Sequence, residues 1–197
     1  LSLKINKDCM KNLNDQIKKI HLPQLKSPVI SSITNRWSPR FYDQSPVPEK
    51  DLEIIFEASR WTPSGYNQQD WQFFYTEKGT DSYQNIFQTL NQYNRSWAKT
   101  APMLIVACFQ KSDYAQYDLG AAVLALVLQA QDLGYHSRQM ALFDHQKVKQ
   151  FLRLDENTEP FIIIALGKLG DYSKAPPDII EMELEPRPRK EKIFQKI

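Results

Sequence analysis

Glycine and cysteine are scarce in this chain, at 6 and 2 of 197 residues, which excludes a collagen-like repeat and a disulfide scaffold. The glycines complete neither GxGxxG nor GxxxxGK[ST]. Gly167-Lys168-Leu169-Gly170 is only a GxxG after an apolar run, so neither a Rossmann dinucleotide site nor a P-loop is expected. GxSxG is absent, which removes the nucleophile elbow. His21, His136 and His145 never approach HExxH or HxH spacing, and Cys9 and Cys108 form no CxxC, so no metal is expected. Cys108 lies inside MLIVACF and reads as a small buried hydrophobe. An excess of one charge is also missing: 25 Lys and Arg face 23 Asp and Glu, for a net charge of +2. That is too little for bulk attraction to nucleic acid or an anionic membrane, and neither is expected as a partner. The longest apolar stretch, 121–128 (AAVLALVL), is far short of the roughly 18 residues that cross a bilayer and suits a core or interface helix. Lys4, Lys7 and Lys11 stand among polar residues with no apolar stretch after them, unlike a secretory signal, so a cytoplasmic setting is expected.

What is present supports a folded protein: 42% hydrophobic and 12% aromatic residues suffice for one packed core. Met10, Leu13, Ile17 and Ile20 form a stripe at helical spacing over 7–20. Residues 1–26 therefore read as an appended Lys-rich helix, and the pattern leaves open whether it packs on the body, on a partner subunit or on nothing. The body, 27–197, opens with a short helix that has Ser27 as N-cap and Pro28 at its first position. Pro39 disfavours helix at Ser38. Helices are predicted at 48–60, 81–99, 117–133 and 147–154, with strands at 71–76, 102–109 and 161–166. After Asp171 the chain is Pro-rich and charged and reads as an arm. This order predicts an α+β (mixed α/β) domain.

Three polar segments have no obvious structural role. Arg36-x-Ser38-x-Arg40 places two guanidinium forks and a hydroxyl within five residues, suited to a phosphate or an electron-rich ring edge. In Pro63-Ser64-Gly65-Tyr66-Asn67-Gln68-Gln69-Asp70-Trp71, the amides of Asn67 and Gln69 match the alternating donors and acceptors of a heterocycle. Pro186-Arg187-Pro188-Arg189-Lys190 is a proline-stiffened arm able to reach a phosphate. Taken alone, each is an ordinary polar turn or basic tail.

Taken together, and in this order, they resemble the FMN-dependent nitroreductase family from about Pro28 to Lys190. The family's R-x-S-x-R is similar to Arg36, Ser38 and Arg40. Its P-S-S-x-N-x-Q-P-W resembles Pro63, Ser64, Gly65, Asn67, Gln69 and Trp71. Ala101-Pro102 precedes a buried strand, Gly134-Tyr135 and Leu142-Phe143-Asp144 follow, and Arg187 and Arg189 end the match. The chain departs from the family pattern at Gly65 (a common Ser), Asp70 (usually Pro) and Leu142 (usually Gly). An inward-pointing acid at Asp70 would disfavour a reduced, anionic flavin.

The resemblance implies a mixed sheet flanked by helices in an intertwined homodimer with two FMN sites at the interface. It implies FMN as cofactor and NAD(P)H as reductant, with hydride passing through flavin N5 to a nitroaromatic, quinone or related acceptor. Arg36, Ser38 and Arg189 would hold the phosphate, with Arg187 assisting and Trp37 beside them. Arg40 and Asn67 would meet the pyrimidine edge, together with Pro63, Ser64, Gly65 and Gln69. The backbone at Met140 and Ala141 would lie near N5, and Tyr66 and Phe143 would line the acceptor pocket. No side chain is assigned as catalytic acid or base. Two other readings stay open at this point: a flavin-binding or flavin-modifying member without NAD(P)H turnover, and an interaction module using the basic helix and arm.

Overall fold

The protein is described here by a computed structural model covering residues 12–196. Helices α1 (Leu13–His21), α2 (Ser31–Thr34) and α3 (Glu49–Arg60) precede strand β1 (Trp71–Glu77). There follow α4 (Asp81–Thr89), α5 (Gln92–Ala98), β2 (Met103–Gln110), α6 (Ala115–Asp132) and β3 (His136–Met140). α7 (His145–Leu152), β4 (Thr158–Gly167) and α8 (Pro177–Glu183) complete the order. The strands form one sheet, β1-β2-β4-β3, with every pairing antiparallel. The α+β class agrees with the sequence; within this chain the sheet is antiparallel, where a mixed sheet was expected.

The continuous apolar run in β2 follows from burial on both sheet faces, because side chains alternate along a strand. Leu104, Val106 and Cys108 enter one core with Tyr83, Ile86, Trp97 and Val148. Met103, Ile105, Ala107 and Phe109 enter the other, under α3 and α6, with Leu52, Ile55, Leu119 and Leu126.

α1 packs on the body. Leu13 and Ile17 are buried in the first core and Ile20 is half-buried, while Met10 lies outside the described residues. Asn14 fixes the contact, donating to the carbonyl of Gly170 at 2.9 Å and accepting from the amide of Tyr172 at 2.8 Å.

Four expectations need correction. α2 begins at Ser31, not Pro28, because Ile30 remains extended (φ −59°, ψ 144°). The single helix expected over 81–99 divides at Leu90, whose ψ of 147° breaks the spiral, and the Asn91 side chain caps α5 by accepting from the amide of Asn94. β3 was not anticipated, since its sequence HSRQM carries almost no apolar signal. The arm after Asp171 contains α8, which has Pro at its first position and buries Ile179, Ile180 and Glu183; proline here starts a helix instead of preventing one.

Candidate functional site

Residues from both ends of the chain meet in a cavity of about 240 Å³. Arg36, Trp37, Ser38 and Arg40 line it together with Arg138 of β3 and His21 of α1. Met182 and the segment Glu185, Pro186, Arg187 and Arg189 close it. The sequence-predicted phosphate group, Arg36, Ser38, Arg187 and Arg189, is thereby brought together with Trp37 and Arg40.

The five guanidiniums differ in their partners. Arg40 is paired with fully buried Glu183 at 3.1 Å and donates to the Tyr93 hydroxyl at 3.3 Å. Burial lowers its pKa, but Tyr93 and Glu183 together raise it further. Arg138 donates to the Ser38 carbonyl and lies 5.3 Å from the ring centre of Trp97. Arg187 is occupied by backbone carbonyls. Arg189 is exposed at the rim and donates to the carbonyls of Arg187 and Pro188. Arg36 is half-buried and its guanidinium has no partner among the described residues; burial, and then the charge of Arg189, push its pKa down.

A half-buried cation without a counter-charge is costly unless an anion joins it. Beside it, the Trp37 indole N–H and Nδ1 of His21 are buried without a protein partner. Trp37 is held between the stacked ring of His21 (5.3 Å, 10°) and the edge-on ring of His136 (4.5 Å, 71°). Burial, and then Lys18, push the His136 pKa down to about 4. A phosphate monoester fits the free Arg36 guanidinium and the Ser38 hydroxyl that lines the cavity with it, whereas His21, whose Nε2 donates to the Glu183 carbonyl, presents Nδ1 as an acceptor.

The amide loop is a second, separate centre. Tyr66, Asn67 and Gln69 have φ of 51°, 58° and 56°, the left-handed region that non-glycine residues seldom enter. Such strain persists only where the surroundings enforce it, and it marks functional loops. Here the amide of Gly65 donates to buried Asp118 at 2.9 Å, and the amide of Gln69 donates to the Ser64 hydroxyl at 3.0 Å. A Cβ at Gly65 would stand 2.9 Å from the Tyr114 ring, so the departure from Ser is matched by an aromatic underneath. One carboxylate oxygen of Asp70 is buried without a partner. Pro63 and Asn67 are exposed, Gln69 donates its side-chain amide to the Asn67 carbonyl, and Tyr66 is 88% exposed.

Within one chain this loop does not line the cavity. Arg138 lies level with Ala165, Leu104 and Thr76 across the sheet, so Trp71 is three strands over and five residues along. At strand spacings of about 4.8 Å and rises of about 3.3 Å, that is roughly 14 Å by 17 Å, or about 22 Å corner to corner. Met140 is buried in the core and Ala141 is exposed at the end of β3. Phe143 is half-buried and stacks on His145 at 4.0 Å.

The sequence reading missed Arg138, hidden in an unrecognised strand, together with His21, Asp118 and Glu183. Glu183 was one of three alternate acids, Glu181, Glu183 and Glu185. Only α8, by turning it inward, separates it from the exposed pair.

A further feature lies on the other side of the sheet. α6 reads from its sequence as a core or interface helix, and within this chain Tyr117 and Leu124 are 81% and 50% exposed, with exposed Gly120 between them. Beside this stripe Ile54 of α3 and Trp61, the residue that follows the helix and is 73% exposed, line an open groove of about 550 Å³. Large exposed apolar side chains, here interspersed with Glu53, Glu57 and Gln129, are the composition of an interaction face.

The model of the nitroreductase family matches residues 33–168. An uncharacterized 15.4 kDa protein from Mycolicibacterium smegmatis is 33% identical over 122 residues, 57% of this chain and 82% of the relative. The major NAD(P)H-flavin oxidoreductase of Aliivibrio fischeri is 27% identical over 149 residues, 71% of this chain and 66% of that protein. A crystal structure of an oxidoreductase containing FMN superposes with a TM-score of 0.80 at 30% identity, covering 89% of this chain and 97% of that one.

Proposed function

The chain belongs to the nitroreductase family, and from that membership we propose that it is an FMN-dependent NAD(P)H oxidoreductase that works as a homodimer. The observation that carries the cofactor assignment is the uncompensated Arg36 guanidinium, half-buried in the arginine-lined cavity beside Ser38. The names of the FMN-containing structure and of the Aliivibrio fischeri flavin oxidoreductase support the same reading.

Arg36, Ser38 and Arg189 would hold the FMN phosphate, with Trp37 lining the same cavity. Arg40, its charge balanced by Glu183, would stand toward the pyrimidine edge. The exposed amides of Asn67 and Gln69 would reach that edge from a second copy, because within one chain they lie at the opposite corner of the sheet. The exposed side chains of Ile54, Trp61, Tyr117 and Leu124 would contribute to the surface for such a copy. Bound FMN supplies a two-electron relay between NAD(P)H and an electrophilic acceptor such as a nitroaromatic or quinone. The backbone at Met140 and Ala141 would border the reacting face, with Tyr66 and Phe143 flanking the acceptor. No residue of the chain is assigned a proton transfer, and no separate nicotinamide domain is required.

The purified protein should be yellow or take up added FMN, and its visible absorbance should bleach anaerobically with NADH or NADPH. A preparation that stays colourless with excess FMN would falsify the assignment. Bound FMN that neither nicotinamide bleaches would instead make this a flavin-binding member without reductase turnover.

A further inference from the structure

Arg187 was expected to assist at the phosphate, but its guanidinium is otherwise engaged. Nε donates to the carbonyl of His21 at 2.8 Å, Nη2 donates to that of Thr34 at 2.9 Å, and Nη1 donates to that of Arg36. His21 is the last residue of α1, so one side chain of the C-terminal arm ties the end of the N-terminal helix to the backbone that carries Arg36 and Ser38. The carbonyls at a helix C-terminus lack partners within the helix and carry partial negative charge, which makes His21 a favourable acceptor for a cation. The His21 ring adds a second tie, stacking on Trp37 and bonding the Glu183 carbonyl at 3.0 Å. Both α1 and the arm lie outside residues 33–168, the span matched by the family model.

We propose that α1 is a working wall of the phosphate site and that Arg187 is a positioning residue, which clamps His21, Thr34 and Arg36 so that Arg36 and Ser38 are set for a phosphate monoester. The proposal rests on the FMN reading and specifies how this chain achieves it. A clamp that fixes only the phosphate donors affects a phosphorylated flavin and leaves its dephosphorylated counterpart untouched. A ligand role for Arg187 would depend on charge, whereas three diverging carbonyls need a guanidinium and cannot be spanned by one ammonium.

The test compares FMN with riboflavin on the full chain. Arg187→Gln and Arg187→Lys should both weaken FMN binding about tenfold and leave riboflavin affinity unchanged. Because these variants can fold poorly, the wild-type protein gives an independent readout through the reciprocity of coupled sites. Amide exchange across Leu13–His21 should slow about tenfold with saturating FMN and be unaffected by riboflavin. Wild-type FMN affinity in Arg187→Lys would overturn the clamp, as would equal protection of α1 by both flavins or by neither. A wild-type protein that binds neither flavin would overturn the FMN reading as well, so the two failures are distinct.

Discussion

Arg36→Gln is expected to weaken FMN binding by about 1.5–3 kcal/mol, roughly ten- to a hundredfold, the scale of a hydrogen bond to a charged group. Among the cavity arginines, Arg36 combines partial burial with a guanidinium that no neighbour uses. Arg189→Ala should cost less, because that side chain is exposed at the rim and its charge is screened by solvent. Arg36→Gln should not destabilise the flavin-free protein, since it removes a desolvated cation that is repelled by Arg189. Binding lost with stability kept is the signature of a group placed for a ligand at some cost to the fold. Flavin titration and urea unfolding of the same preparation check both halves.

Glu183→Ala is expected to destabilise the protein by about 3–5 kcal/mol, the cost of leaving a buried charge without its partner. Glu183 is fully buried, its bond to Arg40 spans 3.1 Å, and Arg40 is itself half-buried. The penalty comes from the stranded cation, so Arg40→Met in the same chain should recover much of the loss, which double-mutant unfolding in urea would detect. A loss below about 1 kcal/mol would show that water reaches the pair.

How far the sequence could be read depended on which interactions are local. The cationic cavity was legible through Arg36, Ser38, Arg40, Arg187 and Arg189, because the arginine fork announces its chemistry wherever it stands. The role of Arg187 was not legible, since its three acceptors are backbone carbonyls and any residue supplies those. β2 and β4 were plain from their apolar runs, whereas β3, like β1 an edge strand among the described residues, has the sequence HSRQM and so lacks the aromatic residues that announce β1. α8 was obscured by prolines that read as an extended arm until Ile179 and Ile180 were seen to reach the core. The strain at Tyr66, Asn67 and Gln69 has no composition signal, because left-handed backbone in non-glycine residues is imposed by anchors as distant as Asp118.

One flavin gripped by the arginine cavity of one copy and the amide loop of another is the arrangement that subunit mixing tests most directly. Arg36→Gln disables a cavity. Asn67→Asp keeps the size and the tolerance for a left-handed backbone while turning an amide into an anion. Each variant alone should bind FMN poorly. In mixed dimers one site carries both lesions and the other carries none, so combining the two proteins should restore FMN binding, and bleaching by NAD(P)H, at about one site per mixed dimer. If mixed dimers form and binding stays as poor as in either variant alone, both groups act within a single chain and the two-copy site is wrong.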